Sequence, residues 1–280
     1  TFPMARCGEP KAIWRICGES QEGAFECGAS ETDRIGDSFV KEYYFPCQET
    51  HEYTAVSDNL SQRNFDDIFR KDFDDSGWPH AVPAPPLDTD YLFSDCPADR
   101  VCETLTPILL SRTETSATYD STRNISGYPV IELQAEKGEQ VEILFSEELC
   151  SDGSLDMEHS YQQRFLVVSD GTKRRIRPLF TWFGFRYFTI TGNAKPVSVE
   201  VVHSQVTQTS HFESDNALLN WIHDTYVNTQ LTNMHAGIPS DCPHIERRGY
   251  TGDGQLACHA AMNILDAKNF YRKWIQDIID

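Results

Sequence analysis

Apolar residues along this 280-residue chain recur with two different periods, and the change falls near residue 208. From about residue 106 to 208 the period is two: Ile131 and Leu133 alternate with polar neighbours, as do Val141, Ile143 and Phe145, and later Val197, Val199 and Val201. Such alternation puts one face of a strand on a core and the other in water. Gly138 and Gly153 fall in the turn-like runs Glu-Lys-Gly-Glu and Ser-Asp-Gly-Ser between these pieces. Residues 180–190, Phe-Thr-Trp-Phe-Gly-Phe-Arg-Tyr-Phe-Thr-Ile, are aromatic on both sides, which predicts a central strand covered on both faces. Several short strands with regular turns predict an antiparallel sandwich.

Residues 1–105 are shorter strand-like pieces broken by Gly, Asp and Pro. The polar cluster Lys71-Asp-Phe-Asp-Asp-Ser-Gly-Trp-Pro-His and the extended Val82-Pro-Ala-Pro-Pro close this region and predict a separate antiparallel β domain. From Ser210 the period becomes helical. Ser214 or Asp215 is placed to cap a helix with Leu218, Leu219, Ile222 and Tyr226 inward. A second helix turns Leu256, Ala260, Ile264 and Leu265 inward, and a third, from near Ala267, turns Phe270, Trp274, Ile275 and Ile278 inward. Strands followed by a run of helices predict a multidomain β plus α chain: β-sandwich-like domains over 1–105 and 106–208, then a helical domain over 209–280. About three helices cannot close around a core, so the helical domain is expected to be incomplete and the chain a piece of a longer protein.

Charge narrows the partners. A formal net charge of −19, from 43 acids against 24 bases, argues against non-specific binding to nucleic acid or anionic membrane, which needs a basic surface. It is compatible with a neutral substrate such as a sugar, and equally with solubility alone. No run of 18 apolar residues is present to span a bilayer, and the start, Thr-Phe-Pro-Met-Ala-Arg, carries no signal pattern. Nine scattered cysteines suit free buried thiols in a reducing compartment better than a disulfide scaffold, which favours the cytoplasm; two Asn-x-Ser sequons, at Asn59 and Asn124, point the other way.

The candidate chemistry lies in residues 237–255, Gly-Ile-Pro-Ser-Asp-Cys-Pro-His-Ile-Glu-Arg-Arg-Gly-Tyr-Thr-Gly-Asp-Gly-Gln. Asp241, Glu246 and Asp253 are interleaved with Arg247, Arg248 and Tyr250, and the Gly and Pro content predicts mostly loop. Glycoside hydrolysis needs two carboxyl groups, one to protonate the departing oxygen and one to activate water or attack the sugar. Further acids hold sugar hydroxyls. The alternative reading is a loop whose acids cap helices and pair with the arginines. His235, Cys242, His244, Cys258 and His259 do not match zinc spacings, so no metal or cofactor is expected. Cys242 beside Asp241 is a poor thiolate, and no phosphate-binding glycine loop of standard form is present. Trp78, Trp182 and the aromatics of 180–188 suit either a core or a sugar-stacking platform.

The run Asp241-Cys-Pro-His-Ile-Glu-Arg-Arg-Gly-Tyr-Thr-Gly-Asp253 resembles the signature of bacterial α-L-rhamnosidases of glycoside hydrolase family 78, Asp-Cys-Pro followed by Glu-Arg-x-Gly-Trp-Thr-Gly-Asp. Tyr119-Asp-Ser-Thr-Arg-Asn-Ile-Ser-Gly-Tyr, Ser146-Glu-Glu-Leu-Cys-Ser-Asp-Gly-Ser-Leu and Pro178-Leu-Phe-Thr-Trp-Phe-Gly-Phe-Arg-Tyr resemble the β sandwich that precedes the family's catalytic barrel, and Phe73-Asp-Asp-Ser-Gly-Trp-Pro its N-terminal β domain. The resemblance implies two antiparallel β-sandwich domains followed by the first helices of an (α/α)6 barrel. It implies hydrolysis of terminal non-reducing α-L-rhamnose from glycosides or polysaccharides, with inversion. Glu246 then matches the general acid, Asp241 and Asp253 the acids that hold sugar hydroxyls, Arg247 a supporting or sugar contact, and Tyr250 the position of the family's Trp. The general base is expected downstream of residue 280. Tyr250 for Trp, and Ile245 where many members carry an Arg-Asp pair, bear on which sugar is taken. Two alternatives stay open: a non-catalytic carbohydrate-binding protein, and an inverting glycosidase for a related sugar on the same barrel.

Overall fold

The computed structural model describes residues 94–279 except 161, 162, 170, 179, 180 and 246, together with residue 72 and the backbone of three earlier strands. In chain order the strands are β1 (Ile16–Ser20), β2 (Gly23–Cys27), β3 (Val40–Tyr43), β4 (Asp99–Leu105), β5 (Ile108–Arg112), β6 (Ser116–Leu133), β7 (Gln140–Ser146), β8 (Arg164–Val168), β9 (Arg174–Ile176), β10 (Phe183–Thr191) and β11 (Ala194–Ser204). Helix α1 (Ala217–Thr232), the two-residue strands β12 (Met234–His235) and β13 (Ile238–Pro239), α2 (Thr251–Ile264) and α3 (Lys268–Ile279) follow. Most of residues 1–93, including the Phe73–Pro79 motif, Trp78 and the Asn59 sequon, lies outside the described residues.

β1 and β2 form their own antiparallel pair. A nine-stranded sheet runs β3-β8-β7-β10-β6-β11-β4, with β5 and β9 also pairing on β6. It takes in residues 40–43 and 99–105, which the sequence reading assigned to the N-terminal domain. β6 is long enough to serve several neighbours: its first half pairs with β10 and β5, its second with β11 and β9. Between the halves Thr122 takes φ 76°, and its N–H donates to the Asp120 carboxylate. Arg186 grips the same carboxylate through two 3.0 Å bonds, at the register shift between Phe185 and Tyr187. A bidentate pair of this kind fixes geometry as well as adding energy.

The alternation legible in the sequence is the core pattern. Ile131, Leu133, Val141, Ile143, Phe145, Val199 and Val201 are all buried, while Val197, near the start of β11, is exposed. β10 lies between β7 and β6, and its Phe183, Phe185 and Phe188 are fully covered. Phe145 stacks on Phe183 at 4.1 Å between ring centroids and meets Phe185 at 4.9 Å. Such pairs add about 0.5–1.5 kcal/mol beyond area burial.

A second, smaller cluster joins Met234, Ala261, Leu265, Ala267, Phe270, Tyr271 and Trp274. α1 is capped by Asn216, whose side chain accepts from the Leu218 N–H, rather than by Ser214 or Asp215. The expected inward sets are corrected in part. Phe270 and Trp274 are buried, but Leu218, Leu219, Ile222, Ile275 and Ile278 are exposed, and Leu256 is 81% exposed. Among the described residues the helices cover one another on one side only, so apolar residues on the other side face solvent.

Candidate active site

The carboxylate segment is anchored at both ends before any of its acids is placed. It begins in the β12–β13 hairpin, whose turn residues Ala236 and Gly237 have φ of 51° and 74°. Positive φ at both central positions is what a two-residue hairpin turn demands, and for Ala it carries strain. Asp99 at the start of β4 compensates: its carboxylate accepts from the Ala236 N–H at 2.9 Å and from His235 Nδ1 at 3.2 Å. Ser240 then bonds back to the backbone and side chain of Asn233, the C-cap of α1.

Asp241 closes the neck of the next loop. Its N–H donates to the Arg248 carbonyl at 3.0 Å, and its carboxylate accepts the Arg248 N–H at 2.8 Å. The tip of this loop lies on β10. A β-carbon on Gly184 would stand 2.6 Å from the Pro243 carbonyl carbon and 2.8 Å from the His244 nitrogen, so only glycine admits the contact. His244 also faces Glu147 at 3.3 Å.

Arg247 has φ 51° and reaches toward Gln163 and Thr181, which flank strands of the nine-stranded sheet. It donates to the Pro243 carbonyl at 2.9 Å, to Thr181 Oγ1 at 3.2 Å and to Gln163 Oε1 at 3.3 Å, and its guanidinium carbon stands 4.6 Å from the Trp182 ring centre. The Trp182 ring also stacks on His235, centroids 3.8 Å apart. Trp182 is therefore packed against the loop rather than held out as a platform.

α2 begins inside the segment, at Thr251, where the sequence reading expected mostly loop. Asp253 lies exposed in its first turn, where a carboxylate is favoured by the helix dipole. Tyr250, at the N-cap, is 46% exposed. Gly249 and Gly254 explain the close fit beneath: added β-carbons would come within 2.5 Å of Ile238 Cγ2 and 2.3 Å of the Trp274 ring. Glu246 lies outside the described residues.

The arrangement thus puts Asp241 at the loop neck, with Tyr250 and Asp253 at the helix start, on a segment braced from below by Trp274 and from the side by β10. Two carboxylates and an exposed phenol can accept from and stack on a polyol. Sequence reasoning missed Gln163, Asp99, Glu147 and Gly184. Each acts across a long separation, 84 residues in the Gln163–Arg247 pair, and no local pattern marks it. Among the described residues no three His, Cys, Asp or Glu side chains converge on a metal position. Cys102 and Cys150 are exposed, against the expectation of buried thiols.

Two imidazoles, His203 and His235, are buried near this junction, and a third, His244, is half-buried. Burial pushes His203, His235 and His244 below the ordinary histidine value. For Asp99 burial alone would raise the carboxyl, yet hydrogen bonds from His235, Ala236 and Ser204 hold it below the usual range. The unfolded chain therefore takes up protons at the histidines first. Their contribution is complete above about pH 6.5 and is lost as pH falls below it; the Asp99 contribution is lost later, below about pH 4. Thermal unfolding is expected to show a falling midpoint from about pH 7 to pH 5, with the slope reduced in His235→Gln. An unreduced slope would remove His235 from the account.

Residues 111–208 match the family model described as the bacterial alpha-L-rhamnosidase concanavalin-like domain, and residues 207–280 match the bacterial alpha-L-rhamnosidase 6 hairpin glycosidase domain. The chain resembles bacterial α-L-rhamnosidases. An alpha-L-rhamnosidase of Formosa agariphila is 28% identical over 223 residues, covering 74% of this chain and 23% of its own length. The solved alpha-L-rhamnosidase from Dictyoglumus thermophilum is 32% identical with a TM-score of 0.68, covering 74% of this chain and 25% of that one. The Streptomyces avermitilis alpha-L-rhamnosidase, solved with L-rhamnose, superposes over 95% of this chain with a TM-score of 0.71; at 21% identity this likeness speaks for the fold. The chain spans about a quarter of the length of the α-L-rhamnosidases it resembles.

Proposed function

We infer that this chain carries the proton-donating part of an inverting α-L-rhamnosidase site. The observation that supports the reading most is the coincidence of the carboxylate segment with the region matched by the glycosidase-domain model, residues 207–280. In this reading Glu246 protonates the oxygen that leaves terminal α-L-rhamnose. Asp241 and Asp253 accept from sugar hydroxyls, and Tyr250 borders the ring. Arg247 supports the loop. No cofactor takes part. The second carboxyl group, which activates water, is assigned to chain beyond residues 1–280, and the apolar sides of α1, α2 and α3 are assigned to the remainder of an (α/α)6 barrel.

Without a base, water is poorly activated, and each acid or base group contributes about 10²–10⁴-fold. The chain by itself is therefore expected to release little phenol from an aryl α-L-rhamnoside in water. Sodium azide needs no base: it bonds to C1 as the C1–O bond breaks, and the Glu246 proton goes to the departing oxygen. The expected product is the β-configured rhamnosyl azide, identified by proton NMR. A retained α-configuration rules out inversion. Azide-independent turnover at full rate shows that a group within residues 1–280 serves as base.

A further inference from the structure

Arg247 is a non-glycine residue in the left-handed region, and it directly follows Glu246 in the chain. Such a conformation is strained and persists only where the surroundings over-determine it. Here the surroundings belong to the β domain. The guanidinium is held by Thr181 and Gln163 and lies over Trp182. Gln163 is itself immobile: its amide exchanges bonds of 2.8 and 3.0 Å with the backbone of Gly184, and it is buried. Gly184 in turn supports the loop backbone at Pro243 and His244.

We propose that Arg247 is a positioning residue, and that the β domain, through Trp182 and Gln163, holds the left-handed backbone turn at Arg247, the residue next in the chain to the acid. The proposal rests on the reading of Glu246 as proton donor. It makes the β domain part of the active-site framework rather than an independent module. A planar fork of donors on a rigid amide and an indole face fixes both the direction and the depth of the turn, which the point charge of a lysine does not.

The leaving group separates this role from a merely structural one. A 2,4-dinitrophenoxide departs without a proton, whereas 4-methoxyphenoxide needs one. In the whole 280-residue chain, with azide as nucleophile, Arg247→Ala and Trp182→Leu are expected to lose about 10- to 100-fold more activity on 4-methoxyphenyl than on 2,4-dinitrophenyl α-L-rhamnoside, as a misplaced group would. Trp182→Phe keeps an aromatic face and is expected to stay near wild type. Equal losses on the two aglycones, or none, overturn the proposal. Should the wild-type chain cleave neither substrate even with azide, the clamp is judged by amide hydrogen exchange, which does not depend on turnover. Exchange about tenfold faster at residues 247–250 in both variants, with β6 and β10 unchanged, upholds it. Unchanged exchange there overturns it.

Discussion

Glu246→Gln is expected to reduce azide-supported cleavage of 4-methoxyphenyl α-L-rhamnoside by about 10²–10⁴-fold. The same variant should cleave the 2,4-dinitrophenyl compound at close to the wild-type rate. Glutamine keeps the size and hydrogen-bonding shape of the side chain but has no proton to give at neutral pH. The loss therefore scales with how badly the leaving oxygen needs protonation. Binding of L-rhamnose should survive, because in this reading Asp241 and Asp253 make the hydroxyl contacts. Titration calorimetry with the variant measures that separately from turnover. A parallel loss on both aglycones would assign Glu246 to binding, and full activity on both would leave the acid elsewhere. Arg247→Ala should show the same selectivity in weaker form, since it displaces the donor without removing it.

What could be read from the chain divides by the range of the interaction. The period-two positions of Val141, Ile143 and Phe145 are set by a core on one face, and they are buried as the pattern requires. The aromatic run of 180–190 was legible as a central strand, and β10 does lie between β7 and β6, but the expected cover on both faces is incomplete: Phe183, Phe185 and Phe188 are buried while Arg186, Tyr187 and Thr189 are half-buried. The helices were legible as helices, but not in their exposure. Periodicity identifies an apolar side without saying whether a partner is there to cover it, and Leu256 shows the difference. The same holds for the site. The run from Asp241 to Asp253 was visible because its acids are close in sequence. The Asp99–His235 contact joins residues 136 apart, and the Gln163–Arg247 contact residues 84 apart, so neither leaves a local trace.

The glycines of the segment carry the clearest separation between a local and a tertiary reading. In the sequence Gly249, Gly252 and Gly254 all look like loop punctuation. In the fold Gly252 and Gly254 are both in α2, two residues apart, and they should respond to alanine with opposite signs. Gly252 has nothing within 4 Å of an added β-carbon. There Gly252→Ala gains only the reduced freedom of the unfolded chain and better helix propensity, about 0.4–1 kcal/mol. At Gly254 the same gain is available, but the new carbon would lie 2.3 to 2.9 Å from three atoms of the Trp274 ring. That ring is buried between Tyr271 and its neighbours and cannot swing away at low cost. Overpacking of this kind costs typically 1–3 kcal/mol, which outweighs the propensity gain. Gly254→Ala should therefore lower the unfolding midpoint in urea while Gly252→Ala raises it. Trp274→Phe removes the ring atoms concerned, so the Gly254→Ala, Trp274→Phe pair should be more stable than the sum of the single changes predicts. Additive effects would mean that α2 shifts on α3 to absorb the methyl group, and the close seating of the carboxylate segment on Trp274 would not be a constraint on the site.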